Sequence, residues 1–244
     1  MPAAQTRRWM RPLTGTASPT QLLGAPWEIQ RVTLNGRIFD VYTKGGDIGA
    51  YSSILALSID HQIGFSVLTA AAKPDGDSPQ KVAISELLAE AFFPAIEAAA
   101  KEESKQRYAG VYEATGTEGL NSSITVVTDE RNALSVTSWI SNGTDFFTTL
   151  AGLENNNGTL SIRLYPTGLT SNSRYAFRAV YETLPRIVDT GLLGLGDCTN
   201  WFGVDSPSYG GVPLDEFIFH YGSGGEVTGL EIRALRATLT KKTA

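Results

Sequence analysis

The spacing of hydrophobic residues divides the chain into two parts near Lys105. Before this point, short apolar or alternating runs are typical of strands. The predicted strands are Trp27–Leu34, Arg37–Lys44, Ser53–Ile59 and Ile63–Ala70. Asn35-Gly36 joins the first two, because this pair suits a two-residue hairpin turn. Residues 1–25 are rich in Pro, Thr and Ser and predict an extended segment.

One long helix is predicted from Lys81 to about Lys105. Ser78-Pro79 gives its start signal, because a serine side chain caps free N–H groups and proline fits the first turn. Its apolar residues recur at helical spacing and predict a stripe that packs across the preceding sheet. These residues are Ile84, Leu87, Leu88, Ala91, Phe92, Ala95 and Ala99.

After Lys105, short strands separated by turn residues are typical of a closed or sandwiched all-β domain. The predicted strands are Tyr108–Ala114, Ser123–Asp129, Ala133–Ile140, Thr159–Tyr165, Arg174–Thr183, Thr199–Val204, Glu216–Tyr221 and Leu230–Thr240. The predicted class is therefore α+β. An antiparallel sheet with a terminal helix is expected over residues 1–105, and a closed or sandwiched antiparallel β-domain is expected over residues 106–244.

Composition narrows the function classes. The net charge of −5 gives no electrostatic footprint for nucleic acid or an anionic membrane, and no run is apolar for long enough to span a bilayer. A single cysteine, Cys198, excludes an internal disulfide. Two histidines, His61 and His220, disfavour a multi-histidine metal centre, and no cofactor is predicted. His61 lies in a predicted hairpin turn and is expected to be exposed.

The most specific pattern is the segment Tyr42–Ser53. A predicted strand ends in Lys44-Gly45-Gly46, and a glycine-containing turn leads to Tyr51-Ser52-Ser53. A Lys-Gly-Gly at a strand end is on its own more often a turn than a site. Here it follows the hairpin that opens with Trp27-Glu28-Ile29 and precedes the long helix and Tyr108–Tyr112.

In this order, these features resemble the third motif of the serine β-lactamase and penicillin-binding protein superfamily, and the C-terminal portion of its fungal β-lactamase-like hydrolases. The resemblance implies that Lys44 helps hold a substrate anion and that the Asp47 backbone N–H is an oxyanion donor. It places Tyr42, Gly45, Gly46 and Tyr51 at the substrate. It also implies that residues 1–105 are a partial antiparallel sheet and terminal helix that close a β-lactamase-like domain, and that residues 106–244 form a lipocalin-like antiparallel β-barrel.

Two departures from the family pattern limit this expectation. Gly45 stands where the family has Ser or Thr, so the hydroxyl that would bind a substrate carboxylate is missing. The family also needs a Ser-x-x-Lys nucleophile motif upstream of the third motif. The literal match, Ser78-Pro79-Gln80-Lys81, follows the Lys44 strand and fits a helix cap better.

The resemblance therefore implies the C-terminal fragment of a serine acyl hydrolase for an ester, amide or lactam. Alone it would be inactive, as a pseudoenzyme. The missing half would come from a longer protein or a separately encoded N-terminal chain; a homodimer would instead cover the exposed sheet. A chain that starts at Met1 has no signal peptide and would be cytoplasmic, whereas a longer family member would be secreted.

A second hypothesis is a standalone small-molecule binder or accessory protein of a fungal secondary-metabolite pathway that uses the barrel interior. Its candidate lining residues are Trp139, Tyr175, Trp201, Phe219 and His220. Core packing is the competing explanation for the aromatic residues. A third hypothesis, an isomerase or cyclase evolved on the remnant, has only the absent nucleophile in its favour.

Overall fold

The computed structural model describes residues 1–70, 79–115, 121–153, 159–185 and 199–242. The chain divides into two compact units, Met1–Ala100 and Lys101–Ala244. Within the described ranges, no helix combines the length and the apolarity needed to cross a membrane.

The first unit is built on a six-stranded sheet whose strands follow one another in chain order, each antiparallel to the next. Its elements are α1 (Ala3–Trp9), β1 (Thr14–Gly15), β2 (Gln21–Leu23), β3 (Glu28–Leu34), β4 (Arg37–Ile48), β5 (Tyr51–Ser58), β6 (Ile63–Ala70) and α2 (Pro79–Tyr108). The four strands expected from the sequence are present. The expected extended segment instead contains α1, β1 and β2, which are too short to give a periodic signal.

Alternation along β4 gives the sheet two apolar sides. Phe39 and Val41 are buried together with Phe93 of α2. Tyr42 faces the opposite side and packs with Ile29 and Trp27 in a separate cluster. The sheet is therefore covered by α2 on one side and, around Trp27, by the N-terminal segment on the other.

Helix α2 uses a different face from the expected stripe. Ile84 and Leu87 of that stripe are 41% and 65% exposed, whereas Phe93 is 5% exposed and Ala89 packs beside it. Lys81 and Glu97 share this face by four-residue spacing and bond to sheet residues. The stripe expected from apolar spacing was therefore wrong, because two charged side chains lie on the face that packs against the sheet.

His61 is buried, contrary to the expectation of an exposed turn residue. Its side chain is 2% exposed and packs edge-on against Phe39. Its Nδ1 lies 2.7 Å from the Ser58 hydroxyl and its Nε2 lies 2.8 Å from Glu97 Oε1. The imidazole fills the space under α2 because both ring nitrogens find polar partners there.

The second unit is a closed antiparallel barrel, which confirms the barrel expected from the sequence. Its elements after α2 are β7 (Gly110–Glu113), β8 (Ser123–Val127), β9 (Leu134–Ser141), β10 (Thr144–Asp145), α3 (Phe146–Leu153), β11 (Thr159–Ser171), β12 (Arg174–Leu184), α4 (Thr199–Phe202), β13 (Ser208–Tyr209), β14 (Val212–Pro213), β15 (Glu216–Tyr221), β16 (Val227–Ile232) and β17 (Ala237–Lys241). Eight strands close the barrel in the order β9-β11-β12-β15-β16-β17-β7-β8, with β8 pairing back to β9. The strand expected over Thr199–Val204 begins instead as the helical turn α4, since a short apolar run does not distinguish helix from strand.

The barrel interior is filled by side chains. Trp139 stacks on Phe146, with ring centroids 4.3 Å apart, and meets the ring of Phe217. Phe219 contacts the rings of Tyr108 and other aromatic residues. Trp139, Phe217 and Phe219 are at most 1% exposed, and Phe146 is partly buried against them, so the interior is a hydrophobic core.

We expect His61→Ala to lower the free energy of unfolding by about 1–3 kcal/mol, because the buried Ser58 and the partly buried Glu97 each lose a hydrogen bond. Asp60→Ala, which breaks only an exposed ion pair with Arg37, is the matched control and should cost no more than about 1 kcal/mol. Urea unfolding of the two variants measures both values. Equal costs would show that the buried imidazole contributes no more than the exposed carboxylate.

In the barrel, Leu239→Ala should cost about 2–5 kcal/mol, because Leu239 is 1% exposed and its truncation leaves a cavity. Thr238→Ala on the same strand is the control, since Thr238 is exposed and should change stability by about 0.5 kcal/mol or less. Thermal unfolding followed by near-ultraviolet circular dichroism tests this. A small effect of Leu239→Ala would contradict a tightly packed interior.

Candidate functional site

Strand β4 extends beyond β3. Their ladder ends where Glu28 faces Thr43, while β4 continues to Ile48 against β5. Among the described residues, no strand pairs with Lys44–Ile48 on the side that β3 has left. We call this side of Lys44–Ile48 the open edge.

Backbone direction in β3 shows which groups reach the open edge. The Arg31 N–H donates to the Thr20 carbonyl, and the Trp27 carbonyl accepts from the Gly24 N–H. The odd-numbered residues of β3 therefore direct their backbone groups towards β2. Because backbone direction alternates along an antiparallel strand, the even-numbered residues, including Glu28, bond to β4.

The same alternation in β4 places two residues at the open edge. Thr43 faces Glu28, so its backbone groups point towards β3. The backbone groups of Gly45 and Asp47 point the same way, beyond Glu28, the first residue of β3. Lys44 and Gly46 point towards Leu55 and Ser53 of β5 instead. The open edge thus presents the N–H and C=O groups of Gly45 and Asp47.

Proline explains why β3 does not begin before Glu28. Residue 26, which would face Gly45 in a longer β3, is proline and has no N–H to donate. The chain turns there from β2 into β3 through Gly24–Trp27. The open edge is therefore a local consequence of the sequence.

The expected cation, Lys44, lies at the start of the open edge. Its Nζ is 2.7 Å from Glu28 Oε1, and both side chains are more than two-fifths exposed. An exposed ion pair of this kind contributes little stability. The ammonium group can exchange this partner for a substrate anion at low cost.

The Asp47 carboxylate faces α2. Lys81 Nζ lies 2.8 Å and 3.1 Å from its two oxygens. The hydrogen bonds from Lys81, and next from Ser52, hold the pKa of Asp47 below its usual value. Asp47 is thus an anion at neutral pH, with its charge balanced by Lys81 and its backbone N–H at the open edge.

The two glycines of the motif differ in the space around them. A Cβ on Gly45 would meet only the Ser53 carbonyl oxygen, at 3.9 Å. A Cβ on Gly46 would lie 3.1 Å from the Ser53 hydroxyl, which donates to the Gly46 carbonyl. A side chain at position 46 would therefore have to displace the Ser53 hydroxyl slightly, whereas position 45 has room for one.

The two tyrosines expected at the substrate are in different environments. Tyr42 is buried with Trp27 and Ile29, and burial, aided by the nearby Asp40 and Asp60 charges, raises its pKa. Tyr51 is 67% exposed and faces Ile48 across the hairpin, on the same side of the sheet as Lys44. Tyr51 is accessible to a ligand, and Tyr42 has a packing role.

The residues expected to line a barrel site do not share one environment. Trp139 and Phe219 lie in the core, and Tyr175 packs at its margin. Trp201 is 48% exposed and packs at a tilt against the Tyr165 ring, and His220 bonds to Glu231 at 2.9 Å. Within the described part of the chain, no cluster of three or more His, Cys, Asp or Glu side chains could hold a metal ion.

Sequence reasoning missed two residues at the open edge, Glu28 and Lys81. Each pairs with a motif residue from another element, more than a dozen positions away in the chain. No local spacing indicates such pairs. Ser78, the other half of the literal Ser-x-x-Lys match, lies outside the described residues.

A family model described as "Beta-lactamase-like-like, C-terminal domain" matches residues 100–243. The match covers more than half of the sequence. The chain belongs to this β-lactamase-like family.

Individual relatives of this β-lactamase-like chain are fungal. A β-lactamase-like protein of Arthroderma benhamiae is 29% identical over 97% of the chain and 44% of its own length. Probable hydrolases of Cochliobolus lunatus and a Phoma species are 26% and 24% identical over 96% of the chain. The chain spans 40% and 41% of their lengths. It is thus less than half as long as the curated relatives it matches.

Among solved structures, an octameric penicillin-binding protein homologue from Pyrococcus abyssi is similar to 96% of the chain and 41% of its own chain. The TM-score is 0.32 and the identity is 15%. A likeness of this size does not establish a shared fold.

The space around Gly45 predicts that a side chain at this position is tolerated. Gly45→Thr, which restores the family triplet, should fit without strain and raise stability by up to about 1 kcal/mol, because threonine suits a strand better than glycine. Gly64→Ala in β6 is the contrasting variant. Its Cβ would lie 2.6 Å from a Leu57 methyl group, and it should cost about 1–3 kcal/mol. Urea unfolding tests both; strong destabilisation by Gly45→Thr would show that position 45 is closed.

Proposed function

We propose that this β-lactamase-like chain supplies one wall of a serine acyl-hydrolase site and that the open edge is that wall. In this proposal, residues 1–105 are the closing strands and helix of a β-lactamase-like domain, and the barrel is its lipocalin-like appended domain. The observation that carries the proposal is that the β3–β4 ladder does not extend past the Glu28–Thr43 pair, which leaves the Lys44-Gly45-Gly46 motif at an open edge. Family membership supports hydrolase chemistry for the complete site.

The open edge suits acyl transfer because it offers a backbone donor. When a nucleophile attacks an ester, amide or lactam carbonyl, negative charge develops on the carbonyl oxygen. An N–H fixed in a strand, such as that of Asp47, stabilises this charge without reorganising. Loss of one such donor typically lowers kcat by about 10²–10³-fold.

Lys44 would hold a substrate anion next to this donor. Its partner Glu28 is exposed, so an incoming carboxylate can replace it. Because Gly45 provides no hydroxyl, Lys44 would act without the neighbouring hydroxyl contact of the Lys-Thr-Gly pattern. The proposed substrate is therefore a small ester, amide or lactam whose carboxylate, if present, is bound by charge rather than by a hydroxyl.

The nucleophile would come from outside the described residues. Lys81, the lysine of the Ser-x-x-Lys match, is bound to both oxygens of Asp47 and acts there as a cation. It is therefore not the lysine that would activate a serine. We place the nucleophile in the portion of sequence that the longer relatives have beyond the matched region.

An apolar surface beside Lys44 supports a docking partner for the sheet. Ile48 and Leu68 are nearly four-fifths exposed, and Leu55 is two-fifths exposed. By register they share the Lys44 side of the sheet. Exposed apolar patches mark interaction surfaces. We propose that the nucleophile-bearing polypeptide covers this side; a homodimer is the competing arrangement.

The purified chain should give negligible turnover of nitrocefin and p-nitrophenyl esters, because the site lacks its nucleophile. Adding the portion of the Arthroderma protein outside the matched region should produce turnover. Lys44→Ala should then lower this turnover by about 10²-fold, as loss of a substrate-binding charge requires. Lys101→Ala, which breaks an exposed ion pair with Glu130, is the control and should have no effect.

Robust turnover by the chain alone that disappears in Lys44→Ala would contradict the incomplete site. Turnover by the mixture that Lys44→Ala leaves unchanged would contradict the role of the open edge.

A further inference from the structure

We propose that Lys81 is a positioning residue, which neutralises the Asp47 carboxylate and fixes the Asp47 backbone N–H as the anion donor of the open edge. The inference rests on the proposed function and adds a residue from α2 to the site. Lys81 itself is placed one step away from any substrate, because it acts through Asp47.

The Lys81 side chain is fixed in place by burial and by its contacts with Asp47. Its side chain is 12% exposed, although it lies in the first turn of α2, and its ammonium group reaches both Asp47 oxygens. Fixing a lysine in one conformation costs rotamer entropy, so a loose surface pair would rarely keep this arrangement. Lys81 is also the first residue on the α2 face that packs against the sheet, in line with Ala89 and Phe93.

Asp47 is supported from a second direction. Ser52, its facing residue in β5, donates a side-chain hydrogen bond to the same carboxylate. The side chain is thus tied to α2 and to β5, while the backbone N–H points to the side that β3 has left. Tying the side chain on one side of the strand limits rotation of the Asp47 backbone on the other.

Charge balance gives Lys81 its second role. Among the described residues, two ion pairs lie at this end of β4: Glu28 with Lys44 at the open edge, and Asp47 with Lys81 of α2. Without Lys81, a negative charge would remain on the residue whose N–H must receive an anion. An unpaired Asp47 carboxylate would repel a substrate anion and the negative charge that develops on the substrate oxygen.

The titration of Asp47 is consistent with this arrangement. Because the folded protein holds the pKa of Asp47 below its usual value, the ion pair is fully formed above the ordinary aspartate pKa of about 3.9. It is lost only as the pH falls through the lowered value. The Lys81 contact is therefore intact throughout the neutral range.

The test is a pH titration of the isotopically labelled full chain by NMR, from pH 7 to pH 3, that follows the Asp47 carboxyl carbon and amide. In the wild type, the carboxyl should titrate below the ordinary value. Lys81→Met should move the midpoint up towards that value and shift the Asp47 amide resonance at pH 7. Lys81→Arg should restore both, because it retains a donor cation.

Arg31→Met is the matched control, because it breaks a 2.9 Å ion pair on the same sheet away from the open edge. It should leave both Asp47 signals unchanged. A lysine that only fastens α2 to the sheet would change the stability and the Asp47 carboxyl titration but would leave the Asp47 amide resonance at pH 7 as in the wild type.

An Asp47 amide resonance unchanged by Lys81→Met would overturn the inference, even if the carboxyl titration moves. If Lys81→Met fails to fold, the wild-type titration decides, since a midpoint at the ordinary aspartate value overturns it as well. These readouts need no turnover. Failure of the proposed function would appear instead as turnover insensitive to Lys44, so the two failures are distinguishable.

Discussion

Backbone hydrogen bonding ends at Glu28 on one side of β4 and continues to Ile48 on the other. This mismatch follows from Pro26, which has no N–H with which to lengthen β3. Every feature of the candidate site depends on it, because a β3 of equal length would bond to Gly45 and Asp47 and close the edge. The Lys44–Glu28 pair then lies where the ladder stops, and the Asp47–Lys81 pair lies beyond it.

Much of the fold could be predicted from the sequence because its strands pair with neighbours. Asn35-Gly36 and the alternation around it predict the β3–β4 hairpin, and the short strands with regular turns predict a closed or sandwiched β-domain, which the family resemblance narrows to a barrel. The face of α2 could not be predicted, since it depends on Lys81 and Glu97 bonding to distant sheet residues. His61 was misjudged for the same reason, because its burial requires Glu97, far along the chain. At the site, the motif indicated Lys44 and Asp47, whereas their partners could be found only from tertiary structure.

The candidate site lies in the first unit and not in the barrel. The barrel interior is packed with aromatic and aliphatic side chains, which gives its described residues a structural role. The first unit has an open edge, a balanced set of four charges and exposed apolar residues beside them. The curated relatives are more than twice as long as the matched chain, which is consistent with our proposal that additional polypeptide covers the Lys44 side of the sheet.

Amide hydrogen exchange along β4 tests the open edge most directly. The N–H groups of Gly45 and Asp47 should exchange rapidly, while those of Lys44, Gly46 and Ile48, bonded to β5, should be protected. This alternation is specific, since fraying of the hairpin would expose all five residues together. Uniform protection of Lys44–Ile48 would show that another segment occupies the edge. Uniform rapid exchange would show that β4 does not extend past Thr43, where its ladder with β3 stops. Either result would contradict the account.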